Sequence, residues 1–162
     1  MNKKMRALSC MVVILLTASF CVFCVSNTVN AKDLKDYLNE ARAFVGSESI
    51  ISPQAAAQMI KSNPAVIVID VREPNEYSTG HIKGSILIPR GLLEFKIKKN
   101  DIYPDINKGR MPTLDTPIIT ICKMGGRCLL ATQTLKEMGY KNVKTIKGGY
   151  KTWKAARLPL AR

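Results

Sequence analysis

Histidine and cysteine are scarce in this sequence of 162 residues. His81 is the only histidine, and beyond residue 31 the cysteines are Cys122 and Cys128, which do not form a Cys-x-x-Cys pair. A structural zinc site draws on several cysteines and histidines, usually in closely spaced pairs. The sequence therefore offers no metal site, and we expect neither a metal nor a cofactor.

Acidic residues are also few: 12 Asp and Glu stand against 25 Lys and Arg, which gives a formal net charge of +13. Such a charge is typical of proteins that bind nucleic acid. Here, however, the lysines are scattered along the chain and no nucleic-acid-binding motif is present. We therefore expect no nucleic acid partner, and the charge favours small anionic substrates, acidic proteins or a membrane surface.

The amino-terminal residues have the pattern of a secretory signal peptide. Basic residues precede an apolar run over residues 7–25, and Val29 and Ala31 stand at the small-residue positions before a cleavage site. Residues 1–31 are therefore predicted to be a signal peptide and the protein to be periplasmic or otherwise extracytoplasmic. The apolar run of 19 residues approaches the length that spans a bilayer, so an uncleaved anchor is the alternative. Cleavage removes three basic residues and no acidic one, which lowers the net charge from +13 to +10.

Beyond the leader, helix and strand patterns alternate. Apolar residues recur at helical spacing up to Gly46, which predicts an N-terminal helical extension over residues 32–47. Ser52 and Pro53 are typical of a helix start and predict a second helix over about 53–62. Further helices are predicted over 91–99, from Arg127 to near Gly139, and before Pro159, and residues 100–116 are predicted to be a polar loop.

Two nearly continuous apolar runs, residues 65–71 and 117–121, are typical of parallel strands that are buried on both faces. Shorter strands are predicted at 85–87 and 142–146. The alternation predicts an α/β fold with a central parallel sheet and helices on both faces. Because sites in such folds lie at the carboxyl ends of the strands, Asp70 and Cys122 are predicted to share one edge of the sheet.

Cys122 stands between a strand pattern and a helix pattern in the run ITICKMGGRCLLATQTL, residues 118–134. At such a turn the backbone N–H groups and the helix dipole favour the thiolate. Two cations add positive charge, and two glycines let the amides converge on an anion. The predicted site is therefore Cys122 as catalytic nucleophile with an anion-binding loop of Lys123, Met124, Gly125, Gly126 and Arg127. A buried structural cysteine is the alternative.

At three places the chain resembles the rhodanese-like domain family. IDVREPNEYSTGHIKGSILIP at residues 69–89 is similar to its first signature, CKMGGR at 122–127 to its active-site loop, and GGYKTWKAARLPL at 148–160 to its closing segment. We therefore assign residues 48–162 to a rhodanese-like domain. The resemblance implies an α/β fold with a central parallel sheet, in agreement with the strand pattern.

The resemblance also implies an activity, namely sulfur transfer through a cysteine persulfide. Cys122 would take sulfane sulfur from a small anionic donor such as thiosulfate and pass it to a thiol, cyanide or protein acceptor. The four residues between Cys122 and Arg127 match the family's sulfurtransferases, whereas the related cell-cycle phosphatases carry a longer loop.

Met124 departs from the small hydroxyl residue of many relatives, and Arg157 stands where a glycine commonly ends the last helix. We expect a monomer, with membrane association if the leader is uncleaved.

Asp70 and Arg72 are supporting candidates at the same strand end. Asp70 could orient the loop cations and Arg72 could attract the anionic donor, and a purely structural salt bridge between them is the alternative. His81 is predicted to be structural, and Tyr150 and Trp153 to cover the core.

Cys128 leaves a second function open. In an oxidising compartment it could form a disulfide with Cys122 or resolve its persulfide. Its alignment with Ala131, Leu135 and Met138 on one helical face favours core packing. A thiol redox protein that uses Cys122 and Cys128 is thus one alternative, and a non-catalytic rhodanese-like binding module is another.

Overall fold

The computed structural model describes residues 31–99 and 111–161. The predicted signal peptide lies outside the described residues apart from Ala31, and so do residues 100–110 of the predicted polar loop.

Six α-helices occur among the described residues. They are α1 (Leu34–Val45), α2 (Pro53–Ser62), α3 (Pro74–Ser78), α4 (Leu93–Lys96), α5 (Gly126–Glu137) and α6 (Gly149–Ala155). The Ser52 hydroxyl accepts a hydrogen bond from the Ala55 N–H at 3.1 Å, as predicted for the start of α2. Among residues 31–99 and 111–161, no helix combines the length and the apolar character needed to cross a membrane.

The described strands form one five-stranded sheet in the order β1-β5-β4-β2-β3. They are β1 (Ile50–Ile51), β2 (Ile67–Asp70), β3 (Ile86–Leu87), β4 (Ile118–Ile121) and β5 (Val143–Ile146). All four pairings are parallel, which confirms the predicted central parallel sheet. β1 was not predicted, and its strand character comes from parallel pairing with β5.

Side chains that alternate along the central strands form two cores, one on each face of the sheet. Ile67 and Ile69 pack with Leu135 of α5 on one face, while Val68 and Ile119 pack with helices α2 and α6 on the other. The prediction of helices on both faces is therefore confirmed.

Helix α1 packs against α5 at the side of the domain. Ala41 and Val45 are buried with Leu129 of α5, and the Lys136 ammonium donates a hydrogen bond to the Val45 carbonyl oxygen at 2.7 Å. The N-terminal extension is thus fixed to the helix that begins at the cysteine loop.

The register brings the two predicted strand ends together. Asp70, the last residue of β2, is paired with Ile121, the last residue of β4, and Cys122 follows directly. Asp70 and Cys122 therefore lie at the same edge of the sheet, as the strand pattern predicted.

Arg157 is the only non-glycine residue with a positive φ among the described residues, at 52°. It follows the cap of α6, and its N–H donates to the Lys154 carbonyl oxygen while the Leu158 N–H donates to the Trp153 carbonyl oxygen. This is the Schellman pattern, in which glycine is preferred at the position of Arg157. The departure seen in the sequence therefore concerns the end of the last helix.

Arg157→Gly is expected to raise the free energy of unfolding by about 1 kcal/mol, because glycine adopts this conformation without strain. The melting temperature should rise by about 3 °C. Arg157→Ala is the control, since it removes the charge and keeps the strained backbone. An equal gain in both variants would contradict this explanation.

Candidate active site

The cysteine loop connects β4 to α5 in a turn that requires glycine. Cys122 leaves the strand, and Gly125 takes a φ of 105° immediately before α5 begins at Gly126. An L side chain rarely adopts this backbone conformation, so the glycine is what lets the chain turn back over the sulfur.

The Cys122 sulfur is surrounded by hydrogen-bond donors and is 1% exposed. The Gly125 N–H donates to Sγ at 3.2 Å. The neighbouring Cys128 thiol, first, and the backbone N–H groups of Cys128, Gly125 and Met124 lower the pKa of Cys122 to about 6, although burial opposes this. These donors favour the Cys122 thiolate near neutral pH.

Cys128 lies in the core behind Cys122. It is fully buried and belongs to the same core cluster as Ala131 and Leu135, in agreement with the packing prediction. Its Sγ also lies 3.3 Å from the Cys122 Sγ, and both thiols are free. The nearby Cys122 sulfur and burial raise the pKa of Cys128 well above its ordinary value. Cys128 thus packs in the core and donates to the Cys122 thiolate.

Arg127 forms an ion pair that the sequence did not reveal. Its two terminal nitrogens donate to the two carboxylate oxygens of Glu76 at 2.7 and 2.8 Å. The Arg127 guanidinium, first among the causes, lowers the pKa of Glu76 to about 2. The charge of Arg127 is therefore balanced by Glu76, and its guanidinium fastens the start of α5 to α3.

The other predicted loop residues are exposed beside a cleft. Lys123 lies at the surface and Met124 is 68% exposed. A cleft of about 830 Å³ is lined by Met124 and both loop glycines on one side and by residues of α1 on another. The charged residues that line it are Arg42 and Lys147, both cationic. The positive charge of these two side chains therefore favours an anion that approaches the loop through the cleft.

Backbone hydrogen bonds join the start of α6 to the cysteine loop. The N–H groups of Tyr150 and Lys151 donate to the carbonyl oxygens of Cys122 and Lys123 at 2.7 and 3.1 Å. Gly149 has a φ of 63°, and a Cβ at this position would collide with the Cys122 carbonyl oxygen. Gly149 is thus required for the close approach of α6, and these bonds fix which way the loop carbonyls point.

Asp70 and Arg72 form a buried ion pair, the structural alternative considered above. The Arg72 guanidinium donates to the Asp70 carboxylate at 2.7 and 2.9 Å and to the carbonyl oxygens of Glu76 and Gly80 at 3.0 and 2.8 Å. It also lies 4.1 Å above the Tyr150 ring. Arg72 is 2% exposed, so its guanidinium binds the protein rather than facing solvent.

His81 also has structural contacts. Its ring stacks on Tyr77 with centroids 3.9 Å apart, and its backbone pairs with Ala161. Trp153 is buried, and its Nε1–H donates to the Pro159 carbonyl oxygen. Across residues 31–99 and 111–161, no group of three His, Cys, Asp or Glu side chains could hold a metal ion.

The pKa of Cys122 predicts a pH dependence. Thiolate absorbance in the ultraviolet should rise with a midpoint near pH 6, and Cys122→Ser should lack this transition. An unfolded cysteine titrates near about 8.5. The depressed pKa therefore adds stability that is fully present above that value and is lost as the pH falls through about 6. An absorbance midpoint near the unfolded value would contradict the arrangement of donors.

Two residues that build the site were missed in the sequence. Glu76 stands three positions after Glu73 and two after Pro74, which marks a helix start, but its partner Arg127 is 51 positions away. Gly149 stands in a Gly-Gly pair that predicts a turn, but its contact with Cys122 depends on tertiary structure.

Comparison with known proteins agrees with this geometry. Residues 52–156 match the rhodanese-like domain family. The uncharacterised protein YqhL of Bacillus subtilis strain 168 is 30% identical over 146 residues, which cover 90% of this chain and 94% of YqhL. The thiosulfate sulfurtransferase GlpE of Ectopseudomonas mendocina strain ymp is 34% identical over 105 residues, 65% of this chain and 84% of GlpE.

A solved structure shows the same fold. RPA3614 from Rhodopseudomonas palustris, described as a possible tyrosine phosphatase, is 29% identical with a TM-score of 0.66. The similarity covers 83% of this chain and 98% of RPA3614. The parallel sheet, the cysteine loop and the match over residues 52–156 together show that the chain belongs to the rhodanese-like domain family.

Proposed function

We propose that the protein is a sulfurtransferase that moves sulfane sulfur from a small anionic donor such as thiosulfate to a thiophilic acceptor through a persulfide on Cys122. The observation that carries this proposal is a buried Cys122 sulfur with a pKa of about 6 that faces converging backbone N–H groups. The relationship to GlpE, a thiosulfate sulfurtransferase, supports it.

In the first step the Cys122 thiolate attacks the outer sulfur of thiosulfate. The new bond joins Sγ to that sulfur, the S–S bond of thiosulfate breaks, and its electron pair leaves with sulfite. The persulfide keeps one negative charge, which moves from Sγ to the outer sulfur. N–H groups that face Sγ, such as that of Gly125, are placed to stabilise this charge.

In the second step an acceptor nucleophile attacks the outer sulfur. With cyanide the products are thiocyanate and the Cys122 thiolate, and with a thiol the product is an acceptor persulfide. The low pKa of Cys122 makes it a good leaving group in this step, because the leaving sulfur departs as a thiolate. The enzyme then returns to its starting state without a cofactor.

The charges around the loop favour an anionic donor. Arg42 and Lys147 line the cleft, and Lys123 is exposed next to the nucleophile. Because Arg127 is paired with Glu76, these three cations and the loop amides carry the attraction for the donor.

A phosphatase is the competing activity, since RPA3614 is described as a possible tyrosine phosphatase. The loop of four residues between Cys122 and Arg127 favours sulfur transfer, because the phosphatases that resemble this family have a longer loop. Hydrolysis of p-nitrophenyl phosphate by the purified protein would favour the phosphatase instead.

The deciding experiment is intact mass measurement of the reduced protein, quenched with acid shortly after it is mixed with thiosulfate. We expect the chain to gain one sulfur atom, and cyanide to remove that sulfur as thiocyanate. No added sulfur, or an adduct that cyanide leaves in place, would overturn the proposal.

We also propose that the protein is exported and that the mature chain begins at Lys32, on the strength of the leader pattern. The amino-terminal peptide of the native protein, identified by mass spectrometry in an extracytoplasmic fraction, tests this. A peptide that retains residues upstream of Lys32 would support the uncleaved anchor.

A further inference from the structure

We propose that Cys128 resolves the Cys122 persulfide, so that the protein releases hydrogen sulfide and closes a Cys122–Cys128 disulfide when no acceptor is bound. This inference rests on the proposed sulfurtransferase function and adds a second reaction that removes the sulfur from Cys122.

The geometry places the two sulfurs in reach of each other. The Sγ atoms lie 3.3 Å apart in the same core cluster, and a disulfide needs an approach to about 2.0 Å. Cys122 stands in a loop and Cys128 in the first turn of α5, with the turn at Gly125 between them. A small shift of the loop therefore brings the sulfurs into bonding distance.

Burial restricts the partners of Cys128. Cys128 is 0% exposed and lies in the core cluster behind the Cys122 loop. Cys122, at 3.3 Å, is the sulfur that it meets. The chemistry open to Cys128 is therefore intramolecular, and it benefits from the fixed proximity of the two groups.

The charge state of Cys122 controls the reactivity of Cys128. In the resting protein Cys128 is kept protonated by the Cys122 sulfur and by burial. Loading with sulfur moves the negative charge from Sγ to the outer sulfur and so weakens the first of these causes. Cys128 thus becomes easier to deprotonate when a persulfide is present to attack.

The buried hydroxyl of Thr145 can stabilise the Cys128 thiolate. The Thr145 hydroxyl is buried and has no hydrogen-bond partner within the part of the chain that the structure describes. It lies close enough to Cys128 to lower the pKa of that thiol. Donation from this hydroxyl would leave neither group unsatisfied once Cys128 loses its proton.

The step balances without an added oxidant. The Cys128 sulfur attacks the Cys122 Sγ, a bond forms between them, and the bond from Sγ to the outer sulfur breaks. The electron pair leaves with the outer sulfur, which takes the Cys128 proton and departs as hydrosulfide (HS⁻), and solvent protonates this to hydrogen sulfide. The sulfane sulfur is reduced and the two cysteine sulfurs are oxidised to the disulfide, which a dithiol then reduces.

The experiment follows the persulfide after loading. Wild type, Cys128→Ser and Cys128→Ala are treated with thiosulfate and desalted without an acceptor, and intact mass and released sulfide are measured over time. Circular dichroism shows that each variant is folded. In the wild type we expect the added sulfur to disappear at least about tenfold faster than in either variant, because the attack is intramolecular.

The final products give the second readout. The wild type should release one hydrogen sulfide per loaded chain and end two hydrogens lighter than the reduced protein, and dithiothreitol should restore its mass. A persulfide that persists equally in all three proteins would overturn the role of Cys128 and leave the proposed function standing. Folded variants and wild type that never gain sulfur would overturn both.

Discussion

Replacing Cys122 with serine is expected to lower the rate of thiocyanate formation from thiosulfate and cyanide by at least about a thousandfold. The amides around Sγ stabilise an anion, and a serine hydroxyl stays protonated near neutral pH. The rate is measured by the ferric thiocyanate colour under conditions of excess cyanide.

Cys128→Ser is the matched control, since it makes the same chemical change six positions along the chain. Its hydroxyl can still donate to the Cys122 thiolate, so we expect the rate to stay within about tenfold of the wild type. If Cys128→Ser and Cys122→Ser were equally inactive, the two cysteines would act as a redox pair rather than as nucleophile and neighbour.

Arg72→Met is expected to lower the free energy of unfolding by about 3–5 kcal/mol, because it leaves the Asp70 carboxylate buried without its partner. Asp70 and Arg72 are 0% and 2% exposed. The same change removes the donors of the Glu76 and Gly80 carbonyl oxygens. Urea unfolding measures the loss, which is a large part of the stability of a typical domain.

Lys141→Met provides the comparison at the surface. Lys141 and Asp115 form an ion pair at 2.9 Å, close to the distance in the buried pair, but their side chains are 67% and 71% exposed. Solvent screens such pairs, so we expect a loss under about 1 kcal/mol. Equal losses from Arg72→Met and Lys141→Met would contradict the importance of burial.

The fold followed from local pattern wherever a segment was long enough to show a period. Residue spacing and cap residues depend on neighbours in the chain, and they predict helices α1 and α2 and strands β2 and β4. Strand β1, at Ile50–Ile51, was not predicted, because its strand character comes from pairing with β5. Such tertiary pairing is not written in local sequence.

Local sequence likewise predicts some parts of the candidate site and not others. The turn at Cys122 could be predicted from local sequence, since a cysteine between a strand and a helix with glycines nearby favours a stabilised thiolate. The pairing of Arg127 with Glu76 could not, because it joins charges 51 positions apart. Nor could the contacts of Arg72, whose burial and hydrogen bonds to the carbonyl oxygens of Glu76 and Gly80 depend on tertiary structure.

The backbone bonds from α6 to the cysteine loop tie the site to the end of the chain. Tyr150 and Lys151 hold the carbonyls of Cys122 and Lys123, and β5, which precedes them, pairs with β1 from the start of the domain. During synthesis the loop is therefore completed well before helix α6, whose N–H groups orient the loop carbonyls. A chain truncated before Gly149 would contain Cys122, the loop and Glu76, and would still lack the hydrogen bonds that orient the loop carbonyls.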